Sequence, residues 1–469
     1  MKQTKALFII VLILSIASVS GAINIIYVDV NGPNDPGSGS YADPFRRIQN
    51  AIDDANTGDT VEIRPGVYTG AGNFDLDPNG KSITIRSNDP NNPEIIAQTI
   101  IDPNQAGRGF YFWNEEDANC IIWGLTIRNA STVTGYNGAG IYCDNSRPTI
   151  RNCVIKDGYA KGSGGGICCD SNNTTIINCT ITGNTADYYG GGISCIFCAP
   201  LITGCTVSGN TASREGGGID SGLSDPNILN CVIIDNNAPL GGGINCYYPG
   251  VTRVVNCILV ANSSEYSGGG VHCWTKGSVI IQNSILWANS SSDGTQLGLE
   301  QEGTASVAYC DVLGGQTDVY DPCGLLVWDS GNINADPCFV SFEPNDNPGL
   351  WDFHLQSKYG RWDSNVQTWV MDSNMSVCID AGDPNSDWTG EPWPNGRRVN
   401  MGSFGGTNQA SKNGNPADFD INGKVDFRDF ALLADKWMSN GNFIEDLNLD
   451  GVVEFEDLKI FAENWLWQK

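Results

Sequence analysis

The chain has 469 residues and carries 53 acidic against 26 basic side chains, a formal charge of −27. That sign disfavours nucleic acid and anionic membrane surfaces as partners, and a hydrophobic content of 40% excludes wholesale disorder. Only two histidines are present, His272 and His354, which nearly excludes histidine-rich zinc sites and a Ser-His-Asp triad.

Residues 1–22 read as a secretory signal peptide. Lys2 and Lys5 form its charged start, an apolar stretch follows from Ala6, and Ser20, Gly21 and Ala22 supply a small-residue cleavage site. The apolar run is short for a membrane span and lacks a basic flank after it, so cleavage is expected rather than anchoring. No later stretch is long and apolar enough to cross a bilayer. The expectation is an exported protein, extracellular or attached to the surface of a bacterial cell.

Residues 23–340 are organised by a repeat. Cys153, Cys179, Cys205, Cys231 and Cys257 stand 26 residues apart, and Ser284 and Cys310 continue the column with steps of 27 and 26. Two residues after each of the first six comes an aliphatic: Ile155, Ile181, Val207, Ile233, Leu259 and Leu286. A second column holds Cys143, Cys169, Cys195, Ser221, Cys246 and Cys273, each two residues after an Ile or Val. Spacing of i, i+2 is strand periodicity with one face turned inward. Glycine runs at 164–166, 190–192, 216–218, 241–243 and 268–270 supply turns that side chains would block.

One period holds two or three short strands and cannot bury its own apolar face. Stacking successive copies in parallel does, and no 3.6-residue pattern competes within the period. The repeat therefore predicts a parallel β-helix, with eight coils between Leu125 and Cys310. Cysteine is expected there as a small buried packing residue rather than a metal or redox array, with disulfide pairing left open. Asn184, Asn210, Asn236, Asn262 and Asn289 are expected to form a hydrogen-bonded ladder at a turn.

Ile26-Tyr-Val-Asp-Val-Asn-Gly32, Pro44 through Ile52 and Ile63 through Tyr68 resemble the N-terminal cap of right-handed parallel β-helix proteins related to pectate lyases. The recurring Asn-Cys-x-Ile-x-x-Asn phrase is similar to the coils of that superfamily. The resemblance implies an all-β, right-handed solenoid. Residues 341–408, with Cys378-Ile-Asp-Ala-Gly-Asp-Pro384 and Asn400-Met-Gly-Ser-Phe-Gly-Gly406, resemble the tail of secreted bacterial β-helix proteins and are expected to close the open end of the rod. Residues 409–417 are polar and turn-forming, and read as a linker.

Residues 418–469 carry the sharpest motif. Asp418, Asp420, Asn422, Asp426 and Asp429 stand at positions 1, 3, 5, 9 and 12 of a loop with Gly423 at position 6. Twenty-eight residues on, Asp446, Asn448, Asp450, Glu454 and Asp457 repeat it with Gly451. Calcium takes six to eight hard oxygens, and the backbone carbonyls of Lys424 and Val452 would supply position 7. An amphipathic helix follows each loop, with Phe430, Leu433 and Trp437 matching Leu458, Phe461 and Trp465. Aspartate at position 12 and no helix before the first loop depart from an EF-hand, and the segment resembles a type I dockerin. That resemblance implies a small α-helical module holding two calcium ions and docking onto a cohesin-like partner. Where many dockerins carry a hydroxylated pair at positions 10 and 11, this chain has Phe427-Arg428 and Phe455-Glu456.

Two functions of different class follow. One is a polysaccharide lyase or glycoside hydrolase carried on a docking module; the other is a non-catalytic, glycan-binding surface rod. Extracellular polysaccharide is the partner expected of the first, and polysaccharide or a neighbouring protein that of the second. Asp144 and Asp170, adjacent in one outward column, are candidates for carboxylate chemistry, and Tyr247 and Trp274 for an exterior sugar platform. The sequence assigns no catalytic residue. The Gly-His-Gly, Asn-Thr-Asp and Arg-Ile-Lys phrases of polygalacturonases are absent.

Overall fold

A chain that must turn two or three times in every 26 residues needs corners that are both tight and hydrogen-bonded. Asn152, Asn178, Asn230, Asn256 and Asn283 precede the first cysteine column or its serine substitute, and all lie in the left-handed region at φ of 50–51°, where asparagine is among the few tolerated side chains. Gly204 takes that corner before Cys205 at φ 63°, and Tyr309 before Cys310 at φ 51°.

These corners link the sheets of a parallel β-helix. The computed structural model describes residues 24–468 apart from 134–135, 345–346, 442 and 449; the expected signal peptide lies outside the described residues. The coils build four parallel sheets of twelve, ten, eight and six strands. Register is kept residue for residue: Ile155, Ile181, Val207, Ile233, Leu259 and Leu286 form one file across the ten-stranded sheet. Cys143, Cys169, Cys195, Ser221, Cys246 and Cys273 form another across the eight-stranded sheet. Both files are buried in one continuous core, with Ser221 as the polar member of the second.

The first cysteine column also serves the corners. The backbone N–H of Cys179, Cys205 and Cys231 each donates to the next coil's thiol at 3.4 Å. At Cys257 the acceptor is the Ser284 hydroxyl, at 3.0 Å, so serine replaces cysteine without orphaning the donor. All seventeen cysteines are unpaired. The asparagine ladder forms as expected. Asn236 donates through Nδ2 to Asn262 Oδ1 and the Val207 carbonyl, both at 2.9 Å, and its Oδ1 accepts from Asn210 N and Nδ2 at 3.0 Å.

Helix α1 (Ile48–Asp54) covers the N-terminal end, burying Ile48, Ala51 and Ile52 in the core; α2 (Pro93–Gln98) follows within an early coil. The C-terminal segment differs from expectation. It does not stopper the rod but lies along its side, over the outer face of the ten-stranded sheet. There Ile234, Ile258, Val260 and Ile285 pack with Phe339, Phe353, Leu355, Cys378, Ile379 and Met401. The reason is the outward row: apart from Val154, the coils from Val154 to Ser208 present Lys156, Thr180, Thr182, Thr206 and Ser208, whereas later ones present aliphatics that need a cover. Corner asparagines fasten that cover: Asn230 and Asn256 both donate to the Gly405 carbonyl, and Asn283 bonds Asp383 N and Ser386.

Residues 409–417 are not a free linker. Ala410, Ser411, Asn415 and Ala417 are buried, and Ser411 Oγ donates to the Leu355 carbonyl at 2.6 Å. Beyond them, α3 (Phe427–Asp435) and α4 (Phe455–Glu463) close a small core of Phe419, Val425, Leu433, Val453 and Phe461. Trp393 of the cover joins it by donating to the Pro416 carbonyl at 2.8 Å. No helix among the described residues is long and apolar enough to cross a membrane.

Replacing Asn236 with alanine strands the Asn210 donors and the Val207 carbonyl inside the stack. The expected cost is about 3 kcal/mol, read as a lowered denaturant midpoint with the native strand content unchanged in the absence of denaturant.

Candidate functional site

The middle residues of the eight-stranded sheet's strands face outward, forming the row Ser194, Asp220, Asn245, His272, Gly298. Outward residues of an edge-free solenoid are normally wet, yet Asp220 is 4% and His272 0% exposed. The row is roofed. Glu215 leaves the turn just before the glycine run 216–218 and folds over it, and the ring of Trp274 closes the other side.

One amide organises the group. Asn245 Nδ2 donates to Glu215 Oε2 at 3.0 Å and to Asp220 Oδ1 at 2.8 Å. Both amide hydrogens are thereby committed to acids, so Asn245 Oδ1 faces His272 Nδ1 at 3.0 Å and accepts its proton. His272 Nε2 has no hydrogen-bond partner. Trp274 Nε1 adds a second donor to Glu215 Oε2 at 3.2 Å. The other carboxyl oxygens, Glu215 Oε1 and Asp220 Oδ2, have no hydrogen-bond partner among the described residues.

Burial sets the protonation of these groups. It pushes Asp220 up to about 8, with the neighbouring Glu215 charge adding to the effect. Burial also raises Glu215, opposed by Trp274, Asn245 and the Arg214 charge. His272 is lowered to about 4 by burial and is neutral at ordinary pH. The two acids line a cavity of about 240 Å³, walled by Tyr189, Tyr247 and Trp274, whose last two rings lie 5.0 Å apart.

The expected platform of Tyr247 and Trp274 is thus assembled, and it is the rim of a pocket. Asp144 and Asp170 stand in the same outward row as Tyr247 and Trp274 but in earlier coils, outside the cavity. Asp170 instead accepts from Tyr142 and Ser171. Sequence reasoning missed Glu215, Asp220, Asn245 and His272. The available signal was a polar residue inside three successive frames, Ile219-Asp220-Ser221, Ile244-Asn245-Cys246 and Val271-His272-Cys273, where Cys168 and Ser194 had preceded.

The acidic loops form a second candidate site, and the bonds that close them at positions 1 and 12 match. Asp418 accepts from Asn422 N and Gly423 N as Asp446 does from Asp450 N and Gly451 N. At position 12, Asp429 accepts from Asp420 N and Asp426 N as Asp457 does from Asn448 N and Glu454 N. Carboxylate oxygens of Asp418, Asp420 and Asp429 come within 4.8 Å of one another, and burial and the charges of Asp429 and Asp420 raise Asp418. Such crowding of hard oxygens suits a divalent cation. Lys424 and Val452 sit at matching backbone bridges, to Gln468 and Asn440.

Comparison with known proteins agrees with the fold. Residues 108–286 match the family model described as right handed beta helix region. The uncharacterized protein YwoF of Bacillus subtilis (strain 168) is 30% identical over 152 residues, which is 31% of this chain and 30% of that protein, so the match spans under a third of this curated relative. Among solved structures, pectate lyase Pel9A is similar at a TM-score of 0.54 and 16% identity, covering 83% of this chain and 96% of that one. A rhamnogalacturonan lyase is similar at a TM-score of 0.37 and 14% identity, over 71% and 96% of the two chains. The fold is a right-handed, pectate-lyase-like β-helix.

Asp220 and Glu391, the latter also pushed to about 8 by burial, hold protons in the folded state that the unfolded chain has released. Stability therefore falls as pH rises from about 6.5 to 8; below 6.5 the depressed His272 opposes the trend. Denaturation at fixed calcium should show this fall, flattened in the Asp220→Asn, Glu391→Gln double variant.

Proposed function

We propose that this chain is an exported protein that binds or acts on extracellular polysaccharide through the lateral pocket of its β-helix. We propose further that residues 418–469 are a calcium-loaded, dockerin-like module tethering it to a cohesin-like partner. The observation that carries the first reading is the pairing of two aromatic rings with two carboxyl groups around one ring-sized cavity. Aromatic faces cover the C–H surface of a sugar while buried polar groups select its hydroxyls. The likeness of the fold to a pectate lyase supports polysaccharide as the ligand class.

For the module, the support is that the backbone donors to the aspartates at positions 1 and 12 correspond in the two loops. Asp418, Asp420, Asn422, Asp426 and Asp429 would hold one ion with the Lys424 carbonyl; Asp446, Asn448, Asp450, Glu454 and Asp457 would hold the other with that of Val452. Calcium there supplies folding energy and no chemistry. Phe427 and Phe455, at matched positions, are 77% and 71% exposed, which suits a surface that meets a partner. A non-catalytic rod is the second reading, favoured by the unbroken register of the strands from Cys143 to Cys273.

Two measurements on the full chain test this. Retention on a panel of immobilised neutral and uronic polysaccharides should be seen for at least one, and Trp274→Ala should weaken it about tenfold, a loss of about 1.4 kcal/mol; retention of none removes the glycan reading. Calorimetry should give two calcium equivalents, falling to one in Asp418→Ala or Asp446→Ala. No calcium heat in the unaltered chain removes the docking module.

A further inference from the structure

The geometry points to hydrolysis of a neutral glycan in the lateral pocket, with Asp220 as proton donor and Glu215 as nucleophile. This rests on the glycan reading above and names its reaction. The side chains around the cavity include two acids and no base. The nearest cation, Arg214, is held over the Tyr188 ring at 4.4 Å. A uronate would bring a third carboxylate to this pair with no counter-charge in the wall, and eliminative cleavage would find no lysine or arginine there to take its proton. A sugar without a carboxylate meets neither obstacle.

The pair is built for double displacement. Two acceptors at 3.0 and 2.8 Å on one –NH₂ group lie about 5 Å apart, which holds the two carboxyl groups closer to the spacing of a retaining pair than to the wider gap that seats a water for direct attack. Their environments also differ. Asp220 is buried with a single donor, whereas Glu215 receives two and feels Arg214. Asp220 therefore keeps its proton while Glu215 ionises, and divergent environments assign the roles.

In the first step the Asp220 proton passes to the glycosidic oxygen as the C–O bond breaks, and a Glu215 carboxylate oxygen bonds to the anomeric carbon. In the second, the Asp220 carboxylate takes a proton from water, whose oxygen displaces Glu215 from that carbon. One water is consumed per bond cleaved and both acids return to their starting forms.

Asn245 and His272 are positioning residues. The neutral ring of His272 orients the amide, and the amide fixes the spacing of the acids. Facing Asp220 are Glu215, Ser194 of the preceding coil and, beyond Asn245, His272. His272 is neutral above about pH 4. Asp220 is thus the group whose deprotonation sets the alkaline limb.

The test incubates the full chain with arabinan, galactan, mannan, xylan and, with calcium, polygalacturonate. Reducing ends and the ultraviolet absorbance of unsaturated products are followed in parallel. Expected are reducing ends from a neutral glycan without that absorbance, a product of retained anomeric configuration by NMR, and a rate that falls above about pH 8. Asp220→Asn and Glu215→Gln should each lower the rate by roughly 10²–10⁴-fold while the same glycan is still retained. Unsaturated products, an inverted anomer, full activity in both variants, or a rate flat through pH 8 overturns the mechanism. A glycan retained but never cleaved overturns the hydrolysis and leaves the binding site standing; no retention and no cleavage removes both.

Discussion

The winding of this chain depends on satisfying backbone donors at buried corners. A strand inside a sheet has its N–H groups met by its neighbours, but a corner residue does not, and a 26-residue coil has several. Two side-chain ladders answer that demand. Asparagine bridges the N–H and side chain of one coil to the next, and cysteine offers sulfur to an N–H at the corner before it. Both work only if the corners stay in register, because each bond is made to the equivalent residue one turn away; the 27-residue coil from Asn262 to Asn289 keeps that register and makes the same bond. Constant register is thus a consequence of corner chemistry as much as of the aliphatic files.

With the interior fixed in this way, the exterior rows are free to vary, and their variation carries the remaining architecture. On the ten-stranded sheet the outward row changes from threonine, serine and lysine to isoleucine and valine, and the C-terminal segment settles over the apolar part. On the eight-stranded sheet it changes from Cys168 and Ser194 to Asp220, Asn245 and His272, and a glutamate and a tryptophan roof the acids. Cover and pocket are the same device: an altered row on an unaltered coil. A binding site can therefore be added to a solenoid without interrupting its ladders.

The terminal module uses repetition on a smaller scale. Each half is a loop and a helix, and each loop's Val, Val425 or Val453, bonds to backbone beyond the other half's helix. The halves are thus mutually templated, with the core of Phe419, Leu433 and Phe461 between them. The module also rests on the rod's cover through Trp393, Asn415 with Asn464, and the edge contact of Tyr359 with Trp467. A polar stretch can look like a flexible tether in composition and still be fixed, when buried carbonyls such as that of Leu355 await its hydroxyls.

By itself the sequence determined the period, the inward files, the asparagine ladder, the acidic loops and the aromatic pair Tyr247–Trp274. All of these are set by spacing along the chain, and a solenoid turns a constant spacing directly into contact. It did not determine where the cover would lie, that residues 409–417 would be buried, or that Glu215, Asp220, Asn245 and His272 would share hydrogen bonds. Those outcomes rest on which outward residue ends up covered. Glu215 reaches Asn245 across 30 residues and Trp274 across 59, and the cover's bonds to Asn230 span more than 170. Only tertiary structure decides burial at such separations, and burial is what changes an exposed aspartate into a protonated acid.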